Sequence, residues 1–149
     1  MCIRDRSIDV PGATGDLDTN YLGKAQAALE ALHAGKDLAI VHVEAPDECS
    51  HAGDLNGKIQ AIEQIDDKVL GTLLKGMEGE PMRLLYLSDH PTLMSTRTHD
   101  GAPVPYVLYD SRVDTGLNRP FGETTAAQGG LIDPGTRLLS ILFEQEPQG

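Results

Sequence analysis

Five side chains with metal-binding chemistry lie in three short stretches of the sequence. Carboxylate oxygens are hard donors and imidazole nitrogens are borderline donors, a combination that binds divalent metal ions. Because single carboxylate–imidazole pairs are common on protein surfaces, a site requires that the fold bring the three stretches together. The five candidate ligands are Asp47, His51, Asp89, His90 and His99.

The spacing of these residues bears on how many ions they hold. Asp47 and His51, in a D-x-x-x-H pattern, can chelate one ion from a loop or from one turn of a helix. Asp89 and His90 are neighbours at a predicted strand end, where successive side chains point apart, so one ion would not easily bind both. Two ions, each bound by one of the pair, meet no such difficulty. His99 alone has the context of an ordinary loop histidine.

Two strands and a helix are predicted to position these residues. Residues 38–43 (LAIVHV) are apolar except for His42, which is typical of a strand covered on both faces in a parallel sheet. Residues 55–75 keep a helical period of apolar side chains, with Asp54 as the N-cap. Residues 83–87 (RLLYL) form the next strand. A strand, a helix and a strand in this order predict two parallel strands joined by a right-handed crossover.

A parallel pair of strands would bring the candidate ligands together. Asp47 and Asp89 each follow the carboxyl end of a predicted strand, and both ends would lie at the same edge of the sheet. In open α/β folds this edge is where ligands bind. Separation in the sequence therefore does not imply separation in space.

Further elements are predicted on either side. A helix begins at Tyr21 with Thr19 or Asn20 as its N-cap and ends at Gly35. A third strand covers residues 104–109, where Pro105 removes a ladder donor, so that the strand begins late or lies near an edge. Residues 111–122 form a loop, residues 123–128 form one or two helical turns, and residues 133–143 form a terminal helix over the sheet.

Composition argues against a nucleic-acid or membrane partner and favours a reducing compartment. The net charge of −11 opposes nucleic-acid binding, which requires a basic face. No apolar run approaches the ~20 residues of a membrane span. Cys2 and Cys49 do not form a disulfide framework, so a reducing, cytoplasmic setting is expected. A length of 149 residues is enough for one domain with a core.

Three other features have simpler interpretations than metal binding. His42, within an apolar strand, is expected to be a hydrogen-bonded core histidine. Cys49 is expected to be a small buried or loop thiol. The acidic residues Glu63, Asp66 and Asp67 are expected to form a solvated helix face.

Four stretches together resemble the archaeal type of cofactor-independent phosphoglycerate mutase, in the alkaline phosphatase superfamily. They are VPGATGDLDTNYLGKA, HVEAPDECSHAGDLNGKIQAIEQID, LSDHPT and RTHDGAPVPYVLYDS. The resemblance implies an α/β three-layer sandwich with a mostly parallel sheet, alkaline phosphatase-like but incomplete. It also implies two divalent metal ions, Mn²⁺ or Mg²⁺. One would be bound by Asp47, His51 and His99, and the other by Asp89 and His90.

The resemblance also implies what the chain does not contain. The family's chain begins with a strand-end aspartate for the second metal, a serine or threonine nucleophile and an inserted substrate-binding domain. Ser7, Thr14 and Ser50 do not lie in the nucleophile's motif, so no catalytic residue is assigned. Residues 10–145 are expected to be the C-terminal part of the metal-binding, phosphatase-like domain. Residues 1–9 are expected to be a non-native or disordered leader, and residues 146–149 a frayed tail.

The function implied by the resemblance is that of a glycolytic isomerase. The intact enzyme would interconvert 3-phosphoglycerate and 2-phosphoglycerate through a phosphoenzyme, with no nucleic-acid or membrane partner. The 149-residue chain alone is expected to bind metal without turnover. Two alternatives stay open: a metal-dependent phosphatase or other phosphotransferase of the superfamily, and a catalytically silent metal-binding fragment.

Overall fold

The computed structural model describes residues 6–116 and 119–143. The described residues divide into two compact units. The first consists of the described part of Met1–Glu78 together with Thr92–Thr98. The second consists of Gly79–Pro91 together with the described part of His99–Gly149. The expected tail at 146–149, and the first five residues of the expected leader at 1–9, lie outside the described residues.

Helices form most of the first unit. Helix α1 is Tyr21–His33, α2 is Ala45–Ala52 and α3 is Leu55–Gln64. A π-helical segment, Ile65–Leu70, continues α3 directly into α4, Gly71–Gly76. The single helix predicted over residues 55–75 is therefore confirmed, with one π-helical interruption.

Side-chain caps fix where two of these helices begin. The Asn20 side chain accepts a hydrogen bond from the Gly23 N–H at 2.8 Å, at the start of α1. The Asp54 carboxylate does the same for the Gly57 N–H at 2.9 Å, at the start of α3. Each cap satisfies one of the backbone donors that a helix N-terminus leaves without an internal partner. Gly35, with φ of +84°, follows the end of α1, as the sequence predicted.

Small side chains allow the helices of the first unit to approach closely. Helix α1 packs against the π-helical segment and α4, and α2 packs against α3. Of the nine buried apolar residues among those described, four are alanines, and all nine belong to this unit. They are Tyr21, Ala25, Ala28, Ala45, Cys49, Ala61, Ile65, Val69 and Met77.

The described residues form two sheets of two strands each. In the second unit β1, Arg83–Leu87, pairs antiparallel with β4, Tyr106–Asp110. The short strand β2, Thr92–Leu93, pairs with β3, Thr98–His99. Strand β4 begins two residues after the predicted start, in agreement with the missing donor of Pro105.

Helices α5 and α6 complete the second unit. They are Glu123–Ala126 and Arg137–Phe143. Helix α6 packs on β1, and the Arg83 guanidinium donates to the carbonyls of Ile141 and Leu142 at 3.2 Å each. The predicted helices at 123–128 and 133–143 are thus confirmed in shorter form. Among the described residues, no helix is both long and apolar enough to cross a membrane.

The strand predicted at residues 38–43 is wrong. These residues have no regular secondary structure, and Ile40 is 81% exposed. A strand with apolar side chains on both faces is stable only when neighbouring strands and covering layers enclose it. The described residues provide no paired strand for 38–43. Consequently the predicted parallel strand–helix–strand unit is not formed, whereas the mixture of helices and strands expected of an α/β chain is present.

Candidate metal centre

Helix α2 carries the first two candidate ligands, so of the two settings that the sequence allowed, a loop or one turn of a helix, the structure has the helix. Residues four apart in a helix lie on the same side, so Asp47 and His51 are neighbours. The Asp47 Oδ2 atom lies 3.3 Å from His51 Nε2, and the two side chains are 31% and 36% exposed. Two donors that are each about 2.1 Å from one ion are separated by about 3.0–3.4 Å in tetrahedral or octahedral coordination. The observed separation therefore fits a shared ion.

The opposite side of α2 anchors this helix in the first unit. Ala45, Cys49 and Ser50 are buried, and the Ser50 hydroxyl donates to the Pro46 carbonyl at 2.7 Å. Gly53, in a left-handed conformation, ends the helix. With the buried side held in the core, the Asp47–His51 side faces Thr92 and Arg97.

The second ring nitrogen of His51 has a partner in the backbone. Its Nδ1 atom lies 2.8 Å from the Arg97 carbonyl oxygen. Because a carbonyl oxygen can only accept, Nδ1 carries the hydrogen, and the Nε2 lone pair faces the Asp47 carboxylate. Two electron-rich atoms at this separation are stabilised by a cation between them, either a metal ion or a proton. Metal-bound histidines in general make this kind of outer hydrogen bond.

The Asp47 carboxylate is held by a hydroxyl. The Thr92 Oγ1 atom donates a short hydrogen bond to Asp47 Oδ1, and Thr92 itself is buried. The Thr92 carbonyl accepts from Lys58 Nζ at 2.9 Å. One carboxylate oxygen is thereby engaged by Thr92, while the other is directed to His51.

The remaining three candidate ligands belong to the second unit. Asp89 and His90 lie in a bend after β1, with Asp89 Oδ2 3.5 Å from His90 Nε2. The rings of His90 and His99 stack, with centroids 3.7 Å apart and planes at 28°. The expectation that Asp89 and His90 point apart is wrong, because β1 ends at Leu87 and strand alternation does not extend to them.

The structure thus brings Asp47 and His51 together in one unit and Asp89, His90 and His99 together in the other. Sequence reasoning missed Thr92 and Arg97, although both lie in the stretches SDHPT and RTH that contain candidate ligands. Neither a hydroxyl nor a backbone carbonyl stands out by residue type, so only their contacts identify them.

Of the residues that were expected not to bind metal, His42 differs from its expected setting and Cys49 agrees with it. His42 is not a core histidine: its side chain is 69% exposed and lies 3.6 Å from Glu44. The reason is that residues 38–43 do not form the buried strand that would have enclosed it. Cys49 is buried as expected. Burial raises the pKa of the Cys49 thiol, and nearby carboxylates, led by Asp54, raise this pKa further, so the thiolate that a metal requires is disfavoured.

The acidic helix face is also confirmed, since its three residues are exposed. They lie around the junction of α3 with the π-helical segment, on the side away from the buried Ile65 and Val69. They contribute to the net charge without any described role in the candidate site. The three residues are Glu63, Asp66 and Asp67.

The chain is similar to archaeal and bacterial proteins. A family model described as Metalloenzyme superfamily matches residues 4–145. A 2,3-bisphosphoglycerate-independent phosphoglycerate mutase of Methanothrix thermoacetophila is 49% identical over 96% of this chain and 37% of the relative. The enzyme of that name from Methanosarcina barkeri is 45% identical over 92% of this chain and 35% of the relative. A probable enzyme of that name from Geobacter sulfurreducens is 43% identical over 93% and 35%.

A solved structure has the same fold over nearly all of the chain. The PH0037 protein from Pyrococcus horikoshii superposes with a TM-score of 0.75 and 27% identity, covering 94% of this chain and 43% of that one. The chain spans about a third of the length of the curated relatives that it matches.

Proposed function

The chain belongs to the Metalloenzyme superfamily, and from this premise we propose that it forms the metal-binding part of a phosphoglycerate mutase. The reaction is the interconversion of 3-phosphoglycerate and 2-phosphoglycerate through a phosphoenzyme. Relatives at 43–49% identity with that name support this assignment. The observation that carries the metal-binding role is the pairing of Asp47 with His51 on one side of α2, at 3.3 Å.

Two divalent ions, Mn²⁺ or Mg²⁺, are proposed as the cofactors. Asp47, His51 and His99 each offer one ligand atom, a carboxylate oxygen or a ring nitrogen, and are proposed to bind the first ion. Asp89 and His90 are proposed to bind the second. Mixed sets of carboxylate oxygens and imidazole nitrogens suit Mn²⁺, while Mg²⁺ prefers oxygen ligands and water.

The stacked histidines support two neighbouring ions. In the second unit the ring of His90, proposed for one ion, lies 3.7 Å from the ring of His99, proposed for the other. This ring separation is comparable with the spacing of about 3.5–4 Å between the ions of two-metal phosphoryl-transfer sites. Stacked imidazoles can therefore direct one nitrogen each to two adjacent positions.

The chain's own residues supply orientation and charge. When bound, a pair of divalent ions stabilises the negative charge of a transferring phosphoryl group and activates the attacking hydroxyl. The Asp47 and Asp89 carboxylates bring the negative charge that attracts such ions. The Arg97 carbonyl and the Thr92 hydroxyl hold the first pair of ligands in place. The hydroxyl nucleophile is proposed to lie outside the 149 residues.

Calorimetric titration of the 149-residue chain with Mn²⁺ tests the metal-binding role. We expect binding by the unaltered chain and a loss of affinity of at least tenfold in Asp47→Asn and in His51→Gln. His42→Gln is the matched control, because His42 is an exposed histidine on the same unit that contacts Glu44 instead of the candidate ligands. Equal affinities in His51→Gln and His42→Gln, or no binding by any of them, would overturn the metal-binding role.

Adding 3-phosphoglycerate to the Mn²⁺-loaded chain tests the catalytic part of the proposal. We expect no 2-phosphoglycerate, because the nucleophile is not assigned to any residue of this chain. Formation of 2-phosphoglycerate would show that a nucleophile lies within the 149 residues. Release of inorganic phosphate would favour the phosphatase alternative over the mutase.

A further inference from the structure

We propose that the hairpin of residues 92–97 is a positioning element for the first metal site, with Thr92 and Arg97 as its two positioning residues. The proposal rests on the proposed function, because it takes Asp47 and His51 as metal ligands. It goes further in assigning what orients them. All of the residues involved belong to the first unit.

Thr92 fixes the carboxylate. It is 7% exposed, and its hydroxyl donates to Asp47 Oδ1. Its carbonyl accepts from Lys58 on α3 at 2.9 Å, which holds the backbone of Thr92 against the helix that follows α2. Rotation of the Asp47 carboxylate would break the hydrogen bond to this buried hydroxyl. The hydroxyl therefore selects the rotamer in which Oδ2 is directed to His51.

Arg97 fixes the imidazole through its backbone. Its carbonyl accepts from His51 Nδ1 at 2.8 Å, and its N–H donates to the Leu93 carbonyl at 2.7 Å. Among the described non-glycine residues Arg97 alone has a positive φ, of +56°, a conformation that few such residues adopt. This conformation closes the turn between β2 and β3 and directs the Arg97 carbonyl to His51 Nδ1.

The Arg97 side chain also contacts the end of α2. A Cβ atom added at Gly53 would lie 2.5 Å from Arg97 Cζ, so the guanidinium occupies the space over this glycine. Gly53 directly follows α2, the helix that carries Asp47 and His51. The hairpin thus contacts α2 through two ligand side chains and through the end of the helix. One six-residue segment consequently orients both ligands together.

Two pairs of variants separate positioning from general stability. Thr92→Val keeps the shape of the buried side chain but removes the hydroxyl. Thr98→Val, at the residue that follows the hairpin, removes a hydroxyl that donates to the exposed Thr96 hydroxyl at 3.1 Å. Arg97→Val disfavours the left-handed backbone, whereas Arg97→Gly accommodates it. All four variants are first compared with the unaltered chain by circular dichroism, so that only folded proteins are scored.

The first readout is the dissociation constant for Mn²⁺. Loss of an outer partner of a metal ligand commonly lowers affinity by about 10–100-fold. We expect this loss in Thr92→Val and in Arg97→Val. Thr98→Val is expected to stay within about twofold of the unaltered chain, and Arg97→Gly to recover most of the affinity lost in Arg97→Val. Equal affinities in the two threonine variants would overturn the role of Thr92.

The second readout does not depend on metal. Long-range ¹H–¹⁵N spectra of the metal-free chain report which nitrogen of His51 carries the hydrogen, at about pH 9, where imidazoles are neutral. We expect the hydrogen on Nδ1 in the unaltered chain and in Arg97→Gly, and a mixture of tautomers in Arg97→Val. A hydrogen on Nε2 in the unaltered chain would overturn the role of Arg97. Failure of the chain to bind Mn²⁺ would instead count against the proposed function, while the tautomer result still decides the positioning claim.

Discussion

Replacing Gly53 by alanine tests how the end of α2 supports the candidate site. Gly53 has φ of +74° and ψ of +22°, and its N–H donates to the carbonyls of Cys49 and Ser50. This left-handed residue ends the helix and turns the chain toward Asp54, the cap of α3. A side chain at position 53 would therefore strain the left-handed backbone and would also displace the neighbouring Arg97 guanidinium.

The magnitude follows from two opposing effects. A left-handed conformation costs an alanine about 1–2 kcal/mol. The unfolded chain loses flexibility when glycine becomes alanine, which returns about 0.4–1 kcal/mol. The Arg97 guanidinium, 2.5 Å from the added Cβ, is the far end of a flexible side chain and can move, so it adds little to this sum. We expect a net destabilisation of about 1 kcal/mol, or a fall in Tm of about 2–4 °C.

Gly71→Ala is the matched control, because the same chemical change is expected to have the opposite sign. Gly71 begins α4 with φ of −57° and ψ of −41°, and the nearest atom to its added Cβ is the Asp66 carbonyl oxygen at 3.6 Å. In a continuous helix this substitution is expected to stabilise by about 0.8–1 kcal/mol. Both changes lie in the helical unit, so the circular dichroism signal at 222 nm reports both.

Urea unfolding of the three proteins gives the comparison. The free energies of unfolding should fall in the order Gly71→Ala, unaltered chain, Gly53→Ala, spanning about 2 kcal/mol. Since Gly53 ends the helix that carries Asp47 and His51, the Mn²⁺ dissociation constant should rise in Gly53→Ala and stay unchanged in Gly71→Ala. A Gly53→Ala protein as stable as the unaltered chain would refute the left-handed ending of α2.

Two further predictions concern titratable groups that are not candidate ligands. Hydrogen bonds from Arg112, and then from Arg83, hold the pKa of Asp110 well below its usual range. Because the folded pKa is the lower one, this stabilisation is complete above the ordinary aspartate pKa and disappears as the pH falls from about 5 toward the folded value. Urea unfolding at several pH values should show a smaller loss on acidification in Asp110→Asn, and an unchanged pH dependence would contradict the pairing. For Cys49, burial raises the thiol pKa, so in a Cys2→Ser background alkylation by iodoacetamide at pH near 8 should be slow until urea is added. Rapid alkylation of the folded chain would contradict this burial.

The sequence was sufficient for local features that depend on a few neighbouring residues. Asp54 was recognisable as a cap, and Asn20 as one of two candidates with Thr19, because a short polar side chain can reach the N–H of the third residue of the helix. Strand β1 was predicted with its observed bounds, since RLLYL is apolar and lies between polar segments. The π-helical segment was not predicted, because it keeps the apolar residues Ile65 and Val69 on the buried side and so preserves the periodicity.

The residues 38–43 show where local reasoning fails. Their apolar character indicates a strand, but a strand requires hydrogen bonds from a neighbour that may be distant in the sequence. Among the described residues β1 pairs with β4 and leaves 38–43 without a ladder. A parallel three-layer sandwich therefore stays a prediction for these residues, although the similarity to a solved structure extends over 94% of the chain.

For the candidate site, the sequence predicted the types of the ligands but not what orients them. The types of Asp47 and His51 and their spacing predicted that they could share an ion, and α2 places them 3.3 Å apart. Their orientation depends on the Thr92 hydroxyl and the Arg97 carbonyl, which come from a segment more than forty residues away in the sequence. Neither group is a metal ligand, so a search for ligand types passes over both. Affinity for a metal depends on how well the ligands are held as well as on what they are. Alteration of the 92–97 hairpin should therefore change metal affinity although every candidate ligand is kept.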